Sequence, residues 1–511
     1  MLTLPNLPYN IQRSKTEIVS LRGINFSDNT QDGDLAACEN LSTRRWPYIT
    51  TREVRVKQTA YSGGTAITSW EKLVVVQGTD LLYDGKSVGK VTAGEKQFAV
   101  VNTKMVIWPD KKYLDIESLT LKDLGAKAIG NGARFTKSTM TVTGWPDLTT
   151  LFKVGDTVTL SGCTAQAGNN KDYTIKALTA TVLTVSANAF TEATESAALT
   201  LERRIPDLDF ICESENRLWG CSNKARTIYA SALGDPCNFF TYEGLSTDAY
   251  ALAVGSEGDF TGCCRLSTSI LFWKENALHK MLGSFPAEYS LYTSNIEGLR
   301  RGCHRSLQVI NDVLFYMGIH GVYAYSGGTP SLISSEFGDK DFTDAVGGND
   351  GDHYYLSVMD GKEAALLVYD TRMGIWLQED RTRAIGFARI GKDVYFLTDQ
   401  GEVYLADGNA ADPGITWSAQ FAPFYETIEG RKRYSKLLLR IELPKGAWLR
   451  AEARTDGGIW RECGRVVGRE AGSVPLQIAV NRCDKFEVRL SGHGPCTILT
   501  MLREFSVGSD I

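Results

Sequence analysis

The sequence has little of what a helical, membrane-spanning or nucleic-acid-gripping protein needs. No window of its 511 residues keeps an apolar i, i+3, i+4, i+7 stripe for three clean turns, which argues against a helical bundle or an α-solenoid. No apolar run approaches the ~18 residues that cross a bilayer as a helix. Basic residues are not in excess: 55 Lys and Arg stand against 60 Asp and Glu, for a net charge of −5. That balance argues against a protein that holds nucleic acid by neutralising phosphates, although DNA could slide past such a surface without sticking. The segment Met1 to Lys15 has no apolar core and no small-residue cleavage site, so no secretory signal is read and synthesis in a cytoplasm is expected. Eleven cysteines are scattered with no repeated Cys-x-x-Cys pair, and small buried hydrophobes in a reducing compartment are expected. Cys263 and Cys264 are adjacent, so in a strand they face opposite sides, which argues against a joint metal site there.

Glycine, at 49 residues, and the 21 tyrosines and 20 phenylalanines are plentiful instead, as turns and aromatic-rich strands require. Three or four apolar residues lead repeatedly into a short polar or glycine turn, then into a second apolar strand that usually carries a Tyr. Leu73-Val74-Val75-Val76 is answered by Leu81-Leu82-Tyr83, and Ile270-Leu271-Phe272-Trp273 by Ala277-Leu278-His279. Leu314-Phe315-Tyr316 is answered by Val322-Tyr323-Ala324-Tyr325, and Val394-Tyr395-Phe396-Leu397 by Val403-Tyr404-Leu405. Hairpins starting at Ile270, Leu314, Tyr354 and Val394 are spaced by 44, 40 and 40 residues. Four-stranded propeller blades repeat every ~40–50 residues, because one blade cannot cover both faces of its own sheet and stacks on the next. With the hairpins at Phe98–Trp108 and Arg217–Ala230, the repeat predicts an all-β protein, a β-propeller of about seven blades.

Two stretches break the rhythm. Residues 133–202 are rich in Thr, Ala and Val, with a largely alternating run at Phe152–Leu160 and short strands at Val182–Val185 and Ala198–Leu201. They read as a small inserted β-barrel-like domain in a blade loop, since removing them leaves one blade's length between Phe98 and Arg217. Ala411-Asp412-Pro413-Gly414 reads as a linker, after which Lys436–Leu443, Leu449–Arg454 and Lys485–Leu490 carry alternating stretches, as a C-terminal β-sandwich would. The expected division is an entry segment with the first blades at 1–132, the insertion at 133–202, the remaining blades at 203–410 and the sandwich at 411–511.

Residues capable of chemistry do not assemble into a motif. Thr455-Asp456-Gly457-Gly458-Ile459-Trp460 is similar to the Asp-box of sialidase-like propellers, but two spacings fail, so it reads as a hairpin turn with a packed Trp. His279, His304, His320, His353 and His493 lack metal-ligand spacing and are expected in packing or surface roles. Glu379-Asp380 falls on opposite faces of an extended strand and fits a solvated turn better than a glycosidase pair. Arg431-Lys432-Arg433 reads as a solvated strand entrance. Cys221 and Ser231 have no local His partner, and no Gly-rich phosphate loop is present. No catalytic, cofactor-binding or metal-binding residue is therefore assigned, and the chain is expected not to be an enzyme.

Several segments in order resemble the β-propeller proteins of tailed-bacteriophage virions, the tail-nozzle or packaged-DNA stabilisation family. They are Arg22-Gly23-Ile24-Asn25, Asp32-Gly33-Asp34-Leu35, Glu39-Asn40-Leu41-Ser42, Trp46-Pro47 and Arg52 at the start. Ile205–Asp209, Glu215–Gly220, Ile228–Ser231, Leu233-Gly234-Asp235-Pro236 and Asn238-Phe239 follow. Phe272–Asn276 with Gly283-Ser284, Gly321-Val322-Tyr323 with Gly327-Gly328, Asn481–Phe486 and Ser491–Gly494 complete the set. The likeness covers most of the chain outside the insertion. It implies a structural protein located in the virion tail, forming a ring of identical subunits, commonly a hexamer, that seals or guides the genome during ejection. It also implies docking to other tail or connector proteins, fibres or a needle, with DNA only as passing cargo and no catalytic residues. A carbohydrate-active or receptor-binding propeller acting on a host surface is the other function class that the fold allows.

Overall fold

In a computed structural model, residues 13–408, 414–426 and 430–507 are described, the side chains of 469–471 apart. The expected linker residues Ala411 to Pro413 lie outside them. The protein is almost entirely β, and among the described residues its only α-helix is the single turn Leu148–Leu151. Two compact units divide the chain: one takes the residues up to Ser62, His320–Ala324 and those from Ser331 on, and the other takes Gly63–Ile319 and Tyr325–Pro330.

Seven four-stranded sheets make the blades of a β-propeller. The first four are the sheets at 64–90, 97–123, 210–253 and 262–294. The fifth spans 308–332, the sixth 342–380 and the seventh 384–405. Every hairpin named from the sequence falls on adjacent strands of one blade, for example Val75 opposite Leu82, Phe272 opposite His279 and Phe396 opposite Tyr404.

The second strand of each blade explains the apolar runs. Along Lys104–Trp108, Met105 and Ile107 enter a core with Val74, Val76 and Leu81 of the first blade. Val106 and Trp108 point the other way, into a core with Leu218, Ile211 and Phe239 of the third. A strand sandwiched on both faces has no polar side to alternate with, so it reads as a continuous hydrophobic run. In the third blade Trp219 and Ile228 pack with Phe272 and Met281 of the fourth. Trp219 and Tyr250 each meet the Tyr289 ring edge-on at 5.0 Å.

The insertion forms its own seven-stranded sheet, from Ala126–Phe135 to Ala193–Arg203, around a core that includes Phe135, Leu160, Tyr173 and Phe190. It starts seven residues earlier than the composition shift suggests, because the long flanking strands are already paired at Ala126 and Arg203. Its place is the connection between the second and third blades, rather than a loop within one blade.

The C-terminal part expected as a β-sandwich is one curled, half-barrel sheet of ten strands. The alternation was read correctly, since Leu437, Leu439, Ile441, Leu449, Ala451 and Ala453 are all buried. The sheet count was not legible. The 24-residue strand Lys432–Thr455 shifts register between Ile441 and Trp448, exchanging Thr497–Val507 for Phe486–His493 as its neighbour on one side. Such irregularities bend a strand, so one sheet curls where two had been expected. Strands from the N-terminal segment complete it: Asp34–Glu39 pairs with Thr416–Phe421, and Arg13–Ile18 with Thr497–Val507.

Gly348, on the first strand of the sixth blade, marks how closely the sixth and seventh blades stack. A Cβ there would lie 2.4 Å from Cγ of Phe387. Gly348→Ala is expected to lower unfolding free energy by roughly 1–3 kcal/mol through overpacking, measured by chemical denaturation.

Candidate functional site

The densest group of perturbed ionisable side chains in the unit that holds both termini lies where residues 40–58 cross the sixth and seventh blades. Val56–Lys57 is the fourth strand of the seventh blade, with Val56 opposite Leu405 and Lys57 opposite Tyr404. Gln58 N–H donates to Val403 O at 2.8 Å, and Gly408 N–H to Val54 O at 2.9 Å. This segment is a strap: Thr43, Arg52, Arg55 and Lys57 grip the blades, while Asn40, Arg45, Thr50 and Thr51 bond to the C-terminal part.

At its centre Arg55 donates through Nη2 to Glu379 at 2.7 Å and through Nη1 to Asp380 at 2.6 Å. Arg52 lies 3.7 Å and 3.6 Å from the same two carboxylates. The solvated turn expected at Glu379-Asp380 is therefore corrected: Glu379 is 7% exposed and both carboxylates face the strap. The physical reason is a β-bulge. Leu367 opposes Gln378 while Leu366 opposes Asp380, so Glu379 is an extra residue that breaks the two-residue alternation. Burial opposes the charge on Asp380, but Arg55 outweighs it and holds the carboxyl below its usual range. Burial likewise opposes the charge on Arg55, and its two carboxylates more than restore it. For Arg52, burial and the neighbouring Arg55 together prevail and depress its pKa.

A second cluster adjoins the first. His353 Nδ1 lies 2.8 Å from Asp350, and its Nε2 lies 3.5 Å from Asp370 and from Thr43 Oγ1. Thr43 donates to Asp370 at 2.7 Å, so the strap is fastened here too. Burial would discharge the imidazole, yet hydrogen bonds to Asp350 and Asp370 hold its pKa up at about 9. Asp350 is held at about 2, since His353 outweighs the cost of burying the carboxylate. Arg44 is ion-paired with Asp407, and Lys57 with Glu402. The cavity that Thr43, Arg44, Arg52, His353, Tyr355 and Glu379 help to line holds about 20 Å³. That is room for one water molecule. Chemically the cluster acts as an electrostatic lock: its charges are satisfied by one another and face no substrate-sized space.

The other singled-out residues lie apart from this cluster. His279 is buried, with Ser256 Oγ 2.8 Å from Nε2 and Thr293 Oγ1 2.8 Å from Nδ1, and burial lowers its pKa to about 4. His304 Nε2 lies 3.1 Å from Glu95 and its ring packs on Phe210. His320 is exposed, and His493 sits half-buried in the ten-stranded sheet. Lys432 corrects the solvated reading of Arg431–Arg433: its side chain is fully buried and donates to Tyr425 O at 2.9 Å. The Asp456 turn joins strands Lys432–Thr455 and Arg461–Gln477, and the Trp460 ring lies between Arg454 and Arg489, each 4.6 Å away. Ser231 Oγ accepts from Leu218 N–H in the blade core, and Cys221 is packed among Trp219, Phe272 and Met281. All eleven cysteines are free thiols, eight of them buried. Sequence reasoning missed the strap because its grip depends on residues more than 300 positions away; Glu39–Ser42, Trp46-Pro47 and Arg52 stand out in the sequence only through the family resemblance.

No protein-family model matches the chain, and no curated protein matches it in sequence. Among solved structures it is similar to BamB from Moraxella catarrhalis, at 10% identity and a TM-score of 0.36, over 71% of this chain and 99% of that one. Hsv2 from Kluyveromyces lactis aligns at 9% identity and a TM-score of 0.31, over 73% and 98%. An exo-β-1,3-galactanase from Phanerochaete chrysosporium aligns at 9% and a TM-score of 0.23, over 56% and 92%. Likenesses this distant concern the fold and carry nothing about activity. No helix among the described residues is long and apolar enough to cross a membrane.

Two outcomes test the lock. Arg55→Ala removes the nearest cation from buried Glu379 and half-buried Asp380, leaving only Arg52 at 3.6–3.7 Å, and is expected to cost roughly 3–5 kcal/mol of stability, read from denaturant midpoints. Because the folded pKa of His353 lies above its unfolded value, its contribution is complete below pH ~6.5 and lost as pH rises through about 9. Thermal melting followed from pH 6 to pH 10 is expected to decline over that window, and His353→Gln to flatten the decline.

Proposed function

We propose that this propeller is a structural component of a tailed-phage virion, a nozzle- or adaptor-type subunit that assembles into a ring, commonly a hexamer, at the tail channel. It seals or guides the genome and docks neighbouring tail proteins. The observation that carries the reading is the ordered series of resembling segments, three of which take part in long-range fastening of the fold. Glu39–Ser42 and Arg52 belong to the strap that grips the sixth and seventh blades. Leu233–Phe239 forms the seat of the inserted sheet, where Asn238 donates to Gly155 O at 2.8 Å and Lys153 pairs with Asp235 at 2.8 Å. Asn481–Phe486 includes Cys483, whose backbone N–H and carbonyl both bond Lys432. A subunit that bears load during ejection needs such long-range fastening more than it needs a reactive cleft, and the strap supplies it.

Protein–protein contact in this reading uses the inserted sheet and the ten-stranded sheet, with DNA as passing cargo and the virion tail as the location. Native mass spectrometry of the purified chain is expected to give a closed homo-oligomer, with six copies as the leading number, and negative-stain images a ring with an axial hole. A monomer that releases sugars from a host polysaccharide would overturn the proposal in favour of a carbohydrate-active propeller.

A further inference from the structure

A cavity of about 920 Å³ is a cleft between the second blade and the inserted sheet. Its volume suits a small ligand of many atoms. Its lining is cationic although the chain as a whole is acidic: Lys104, Lys111, Lys122, Lys127, Lys153 and Arg203 all reach it. Three carboxylates also line it: Asp110 is neutralised by Lys96 at 2.7 Å and Asp123 by Lys112 at 2.6 Å, while Glu202 stands opposite Lys127 across the strand pair. Lys111 is itself paired with Asp207 at 2.5 Å. Lys104 and Lys153 share the single carboxylate of Asp235, at 3.6 Å and 2.8 Å. Lys122 and Lys127 are exposed and have no carboxylate within ion-pair distance among the described residues. The cleft therefore holds positive charge that the protein itself does not balance.

Arg203 supplies a fixed donor. It is 8% exposed, with Nε donating to Leu124 O at 3.0 Å and Nη1 bound to Asp156. These two bonds fix the plane of the guanidinium, and Nη2 makes no hydrogen bond to the described residues. Tyr113 lies beside it, its hydroxyl kept protonated by burial at a pKa of about 12, and Lys104 Nζ sits 5.5 Å from the centre of its ring. Several lysines around one fixed guanidinium suit an anion that carries several charges close together.

We propose that this cleft binds a small polyphosphate anion, either an inorganic chain or the phosphate tail of a nucleotide. Lys122 and Lys127 supply the unbalanced charge and Arg203 the fixed hydrogen bond. A duplex is disfavoured, because it would leave the concave cleft for a surface of net negative charge. The assignment stands independently of the virion reading.

Isothermal titration of the whole chain at about 50 mM salt with tripolyphosphate, ATP, orthophosphate and a short DNA duplex tests it. One saturable site per chain is expected for tripolyphosphate and ATP, both tighter than orthophosphate. Equal affinity of the first two assigns recognition to the phosphates alone, and a tighter ATP adds a contact to the nucleoside; both outcomes support the site. Lys122→Glu with Lys127→Glu is expected to weaken binding roughly tenfold or more without changing the melting temperature. Lys86→Glu, outside the cleft, is expected to leave binding unchanged. Absence of saturation to about 5 mM, a double variant within about twofold of the parent, or DNA that competes equally per phosphate would overturn the proposal.

Discussion

Two guanidinium groups and two carboxylates can leave water together only if each meets an opposite charge with good geometry. The unit built around the N-terminal strap depends on that condition at Arg52, Arg55, Glu379 and Asp380. Removing any one of the four unbalances the group, two charges of one sign being left to share a single opposite charge. The pairing is therefore worth more as a specification of register than as a source of net stability. It fixes which residues of the strap meet which residues of the sixth blade, and the backbone bonds of Val54 to Gln58 then follow along the seventh. Thr43 and the His353 cluster repeat the arrangement a few residues upstream.

The blades illustrate a different economy. A four-stranded sheet with apolar side chains on both faces is unstable alone and becomes stable between two others. Alternation along Lys104–Trp108 sends Met105 and Ile107 to one neighbour and Val106 and Trp108 to the next. Large aromatic residues dominate between the third and fourth blades, where Trp219, Tyr250, Phe272 and Tyr289 meet edge-on or tilted. Between the sixth and seventh blades the Phe387 ring approaches the neighbouring strand so closely that the residue facing it, Gly348, has no room for a Cβ.

Much of the blade architecture was legible because it is local. A hairpin needs only adjacent apolar runs and a turn between them, and its spacing shows directly as a period in the sequence. The insertion was legible for the opposite reason, since its Thr- and Ala-rich composition interrupts that period. What escaped notice depends on contacts distant in sequence. Nothing near Val56 signals that it completes a sheet begun at Ala384, and nothing near Glu379 signals the extra residue that turns it toward Arg55. Lys432 looked solvated in a basic run because charge alone does not reveal that its ammonium bonds to the Tyr425 carbonyl. A curled sheet and a sandwich share the same alternation, so the choice between them rested on a register shift that leaves no mark in composition.

The inserted sheet enters and leaves through directly opposed residues, Ala126 facing Arg203 across one antiparallel pair. From the standpoint of the flanking blades, the whole insertion begins and ends within one strand spacing, about 5 Å. Replacing it with a tight turn, or with an unrelated module of any size, would ask almost nothing of the backbone on either side. Diversification at this point of the chain can therefore proceed by cassette exchange, with the surface that a lineage presents changing while its framework is inherited intact.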